Sequence, residues 1–347
     1  MPPETPTPFL TADLPGIGGR LKQRPHDFIV EEVPAYQPCG EGEHLFLWVE
    51  KTDVAADDLL RHVARTLGIS PRDVGTAGVK DRRAVTRQFV SVPAECEARL
   101  GRIETDRIHV LRHVRHRNKL RTGHLRGNLF SILVREVDAE AADKAAPITA
   151  AIRRLGFPNY YGEQRFGREG ETLQIGLELL RGTRRPGSIP FSQRRFLLRM
   201  ALSAVQSALF NAVLGQRLRD GLFGTVLAGD VMQVTGSGGQ FVATDAAAEQ
   251  LRFDSRETVL TGPIFGPHMT APQHEPAERE QRILSAWELS PREFLRFARL
   301  TSGTRRPIVV WPDELRFDQE TEGLRVEFRL PGGAYATTLL REFMKVP

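Results

Sequence analysis

Residues 27–33 and 44–51 alternate apolar with polar or charged side chains, the period-two pattern of half-buried strands. Thr52 or Asp53 then stands where a helix needs a cap, and Val54, Leu59, Leu60, Val63 and Leu67 recur at helical spacing until Gly68 supplies a stop. The small, apolar stretch 76–79 runs abruptly into Lys80, Asp81, Arg82 and Arg83 before alternation resumes in QFVSV. RIHVLRHV and NLFSILVREV predict two further strands, and 141–155 a helix. Strands in series with helices between them predict an α+β sheet domain and not a doubly wound repeat.

Around FPNYYGEQRFGREG the pattern changes, and the next ~140 residues read mainly as helix and loop. Their clearest helix is predicted over 194–218, with Phe196, Met200, Ala204, Ala208 and Ala212 four residues apart. Strand character returns with RPIVVW and GLRVEFRL, and YATTLLREFMK reads as a final helix. These last elements are expected to complete the sheet begun by the first 155 residues, which makes the middle an insertion. A chain of 347 residues exceeds the size at which one core usually stops growing, so a second domain is expected.

Composition narrows the function classes. No run approaches the roughly 18 unbroken apolar residues of a membrane span, and MPPETPTPFLTADLP lacks the basic start and apolar core of a secretory signal. Cys39 and Cys96 are too few for a disulfide scaffold or a cysteine zinc cage. A soluble, cytoplasmic protein with no membrane partner is expected. The net charge of +5 suggests a polyanionic partner, although modest positive charge also serves solubility.

Candidate chemistry is sparse. His109, His113 and His116 lie on a predicted strand with 116 on the opposite face from the other two, and no HExxH or cysteine cluster accompanies them, so no metal site is expected. GIGGR and GSGG fit neither a P-loop nor a dinucleotide fingerprint and read as turns, and no GxSxG elbow is present. The segment 112–128 carries Arg115, Arg117 and Arg121 among six basic residues without one acid, which suits a nucleic-acid backbone. Arg184, Arg185, Arg194, Arg195, Arg305 and Arg306 add to the same reading. The competing reading is an edge strand protected by charge. Phe28, Phe130 and Phe328 on strands are by default core, and Asn128 is a turn residue. A strand surfacing in a turn would by itself explain Lys80 and Asp81.

Six segments taken together resemble the TruD family of tRNA pseudouridine synthases: LKQRPHDFIVEE, AGVKDRRAVTRQ, KLRTGHLRGNLF, FPNYYGEQRFG, TGPIFG and RLPGGAYATTLLREF. They follow the family's order and span nearly the whole chain. The resemblance implies a pseudouridine synthase domain with a mixed or antiparallel sheet, formed by 1–156 and 305–347 and interrupted by a mainly helical TRUD domain over 157–304. It implies isomerisation of uridine, at position 13 in the D arm of tRNA, by an aspartate nucleophile and without a cofactor. The motif aspartate maps onto Asp81, and Lys80 would shape its turn. Lys22, Phe28, Asn128, Phe130 and Phe328 map onto substrate-binding positions. Tyr161 stands where the family pattern has phenylalanine, away from these. A nearby cation such as Lys22 would favour an ionised Asp81, and Phe130 is placed to stack on the uracil. The expected partner is tRNA, with no protein partner and a monomeric state. The alternative is an RNA-binding protein of the same fold that performs no chemistry.

Overall fold

The computed structural model of the chain describes residues 7–346. Residues 1–6 of the N-terminal stretch considered for a signal, and Pro347, lie outside the described residues. In chain order the strands are β1 (Gly18–Arg20), β2 (Phe28–Pro34), β3 (His44–Thr52), β4 (Gly75–Thr76), β5 (Val85–Pro93), β6 (Ile108–His116), β7 (Leu125–Val137), β8 (Phe157–Pro158), β9 (Val231–Val234), β10 (Gln240–Val242), β11 (Thr258–Ile264), β12 (Thr304–Pro307), β13 (Val309–Val310), β14 (Asp313–Glu320) and β15 (Gly323–Pro331). The α-helices are α1 (Ala56–Leu67), α2 (Ala141–Leu155), α3 (Glu171–Arg181), α4 (Phe191–Arg219), α5 (Ala246–Asp254), α6 (His274–Ala286), α7 (Pro291–Leu295) and α8 (Ala336–Met344). The chain forms two compact units. Among the described residues, one comprises 13–154, 311–336 and 343–346, and the other 7–12 with 155–310 and 337–342.

The first unit is built on a sheet of order β14-β15-β7-β2-β5-β3-β6, with β1 beside β7 and β4 beside β5. β2 and β5 run parallel, whereas β2–β7, β7–β15 and β3–β5 are antiparallel, so the sheet is mixed and the fold α+β. Leu45, Leu47 and Val49 share one face of β3 and bury against Leu59, Val63 and Leu67 of α1. Gly68 closes that helix in the left-handed region, φ 66°. Its start differs from the expectation: Ala55 is the cap residue and makes no side-chain bond. Thr52 is still in β3, and Asp53 forms a positive-φ turn with its amide bonded to Ala84 O, so neither is free to cap.

The GIGGR segment contains a short strand and not only a turn, because Gly18–Arg20 pairs with β7. A Cβ on Gly19 would meet Val134 Cγ1 at 2.6 Å and Arg135 O at 2.8 Å, so only glycine admits this approach.

The second unit centres on α4, buried along most of its length from Ala201 onward. α4 is long and apolar enough to cross a membrane by length and composition, but 61% of that window is buried inside the protein, as in a core helix. α3 packs on it where Gly176 allows contact: a Cβ there would lie 2.2 Å from Ala201 O. The expectation of helix and loop missed a sheet of order β10-β9-β11-β12. Its strands are short or, like β11, buried on both faces, so they show no alternation to read. RPIVVW joins this unit and not the large sheet: β12 pairs with β11, and β13 with β8.

Candidate active site

Asp81 sits on the loop entering β5, and Lys22 on the loop entering β2. Parallel strands start at the same edge of a sheet, so the β2–β5 pairing, with Ile29 opposite Val85, brings these two entry loops together across 59 residues. Lys22 Nζ lies 2.9 Å from Asp81 Oδ1, and the Asp81 side chain remains 42% exposed. Lys22 holds a left-handed backbone, φ 56°, and its ammonium also stands 4.2 Å from the centre of the Phe28 ring.

The adjacent charge turns the other way. Lys80 is buried and pairs at 2.9 Å with buried Glu32, whose second oxygen accepts from the Phe89 amide at 3.3 Å. Neighbouring side chains on extended backbone point to opposite faces, and here one charge faces solvent and the other the interior. Beneath the loop, fully buried Lys51 donates to the carbonyl oxygens of Asp81 at 2.7 Å and Val54 at 2.8 Å. Burial pulls its amine down to about 8, with Lys80 pulling the same way and Asp81 and Asp53 opposing.

Lys51 and Glu32 were absent from the sequence-derived candidates, yet each left a signal. Lys51 continues the Leu45, Leu47, Val49 face of β3, and Glu32 continues the Phe28, Val30 face of β2. A charge that extends an apolar face at period two must find a buried partner.

The aromatic candidates meet on three adjacent strands. Val30 lies opposite Phe130 on one side and Phe328 lies opposite it on the other. The rings of Phe130 and Phe328 stack at 5.3 Å, and Phe28 meets Phe130 edge-on at 6.3 Å. All three are buried, Phe130 retaining 8% exposure, so they act first as core and offer a base little ring face as they stand. Asn128 is a residue of β7 and not of a turn, between Glu32 and Leu330, and its Oδ1 is buried without a hydrogen-bond partner.

The basic segment is less open than its composition suggests. Arg115 pairs with Glu97 and Arg117 with Glu41, acids supplied from outside the segment, while Arg121 is exposed. His109 and His113 face Glu104 and Glu97, whereas His116 packs against Tyr36 and Phe46. Two arginines grouped with the basic surface lie elsewhere: Arg305 is buried in a bidentate pair with Glu280, and Arg306 bonds Asn159 and covers the Tyr161 ring. Burial with an acid satisfies Arg305's fork completely enough to remove it as a phosphate ligand.

Fold and site together define a mixed-sheet α+β protein that presents one lysine-paired carboxylate beside a cluster of aromatic rings. The family model for tRNA pseudouridine synthase D (TruD) matches residues 6–186 and 192–343. A tRNA pseudouridine synthase D of Anaeromyxobacter dehalogenans (strain 2CP-C) is 43% identical over 98% of this chain and 97% of its own length. One of Thermus thermophilus is 40% identical over 98% and 92%. A crystal structure assigned as tRNA pseudouridine synthase D from Methanosarcina mazei superimposes with a TM-score of 0.79 at 25% identity, covering 96% of this chain and 95% of that one. The chain belongs to the TruD family.

Proposed function

We propose that this protein isomerises uridine to pseudouridine in tRNA, at uridine 13 of the D arm, with Asp81 as its catalytic carboxylate. The observation that carries the reading is the 2.9 Å pair between exposed Asp81 and Lys22, beside the Phe28 ring and opposite in direction to buried Lys80. The reaction breaks the C1′–N1 bond, turns the uracil and joins C5 to C1′ with no net change of oxidation state. A carboxylate has three routes through it: attack on C1′, addition to the base, or removal of the C2′ proton.

In this reading the base leaves its stack to reach Asp81. Asn128 offers an unused buried acceptor for an N–H of the base, and Lys22, Phe28, Phe130 and Phe328 shape the pocket wall. Arg115, Arg117 and Arg121 hold the RNA backbone, the first two by exchanging a surface carboxylate for a phosphate, which costs little because solvent and salt screen exposed ion pairs. The unit of 13–154, 311–336 and 343–346, which carries Asp81, is the catalytic domain, and the unit centred on α4 is the inserted one, in a cytoplasmic monomer that works without a cofactor.

Incubating uridine-labelled tRNA with the protein and analysing the nucleosides tests the activity. Mapping pseudouridine in tRNA from a strain lacking the protein tests the position. Binding without any pseudouridine formed would leave the alternative of a catalytically silent RNA-binding protein.

A further inference from the structure

From residue 179 to 219 the chain contains no aspartate or glutamate, and its arginines divide sharply. Arg184 pairs with Glu178 and Arg217 with Asp230, acids outside the stretch. Arg185, Arg195 and Arg199 are exposed, and none of the ion pairs among the described residues involves them. Arg194 bonds only backbone carbonyls, those of Ile189 and Gly187, and lies 5.7 Å from the Phe191 ring centre, so its charge is not cancelled.

Between these charges stand two of the most exposed large apolar side chains described, Phe191 at 88% and Phe196 at 70%. The sequence pattern places Phe196 on the helix's core stripe, and burial along that stripe begins only further on, with Ala204. At 100° and 1.5 Å per residue, positions 191, 195, 199 and 196 fall within an arc of about 140° and a rise of about 12 Å. The N-terminal part of α4 therefore presents two bare rings interleaved with uncancelled guanidinium groups. Phe191 also falls in the gap between the two stretches matched to the family.

We propose that this arc of α4 is an RNA-contact surface for an unpaired segment of RNA, with bases stacking on Phe191 and Phe196 and phosphates held by Arg195, Arg199 and Arg185. It rests on the reading of the protein as an RNA-acting enzyme and adds a contact on the unit that does not carry Asp81. Flat rings accept any base face, and arginines without acids exchange condensed counterions for phosphate contacts. A second copy of the chain is a poorer occupant, because a two-fold interface would set the same arginines against themselves. Two rings also offer little apolar surface for lasting membrane insertion.

The test uses full-length protein, a labelled oligouridylate and a labelled RNA duplex of equal length, titrated over a range of KCl. Phe191→Ala/Phe196→Ala should weaken oligouridylate binding about tenfold or more and affect the duplex less. Phe196→Trp should keep the affinity and show quenched tryptophan emission on binding. Arg195→Ala/Arg199→Ala should lower the slope of log affinity against log salt by about 1.4, two single-strand phosphate contacts. The proposal is overturned if wild-type protein does not bind the oligouridylate, or if both double variants keep its affinity and slope. It is equally overturned if the phenylalanine variant loses only self-association or binding to anionic vesicles. Absence of pseudouridine from tRNA treated with wild-type protein would defeat the functional reading instead, and loss of oligouridylate binding by the variants would still uphold the surface.

Discussion

The Lys51 amine donates to the backbone carbonyl oxygen of Asp81 at 2.7 Å, and so holds from below the loop whose side chain meets Lys22 above. With Val54 O as its other acceptor, Lys51 ties the end of β3 to the loop before β5. Lys51→Met keeps the length of the stem and removes both bonds. We expect kcat to fall about 10- to 100-fold, since small misplacements of a reacting group cost that much, with KM for tRNA within a few-fold. Single-turnover pseudouridine formation and tRNA binding, measured on the same variant, check this; a proportional rise in KM with unchanged kcat would refute the positioning role.

The same residue predicts a pH dependence. Burial lowers the folded-state amine from its ordinary value of 10.5 to about 8. Between those values the unfolded chain holds a proton that the folded chain has released, so unfolding free energy from this group rises with pH. Relative to Lys51→Met, wild-type protein should gain up to about 3 kcal/mol from pH 8 to 10.5. Urea denaturation of both proteins across that range reads the difference, and a falling difference would contradict the assignment.

Asp81→Asn keeps the shape of the side chain and a carbonyl oxygen but removes the charge and the basicity. Pseudouridine formation should be abolished while tRNA affinity stays within a few-fold. Appreciable turnover would return Asp81 to a turn residue, for which asparagine is equally suited.

Replacing Arg115, Arg117 and Arg121 by alanine should weaken tRNA binding and flatten its salt dependence. Arg121, exposed and without the acidic partners of the other two, should account for the largest single share. An unchanged salt slope would identify the segment as a charged edge strand.

Truncation after Gly156 removes β14 and β15, and β15 pairs with β7 from Gly127 to Arg135. The fragment should fail to melt cooperatively, because it leaves the long β7 with an open edge and exposes Phe130. A soluble fragment with a sharp thermal transition would show that the first segment folds without the last.

Much of this protein could be read along the chain, because period-two and period-3.6 patterns report directly which face of an element is apolar. β2, β3, β6, β7, α1, α2 and the long α4 were legible in that way, and six ordered motifs identified the family and pointed to Asp81. What lies across each face was decided by the tertiary structure. Only the parallel pairing of β2 with β5 makes Lys22 and Asp81 neighbours, and only burial reveals that Lys51 and Glu32 are fastened to the same loop. The small sheet containing β11 escaped because strands buried on both faces carry no alternation. The arginines separated for a related reason: composition counts a charge wherever it stands, but whether Arg305 is locked to Glu280 or Arg195 left open depends on residues brought near by the fold.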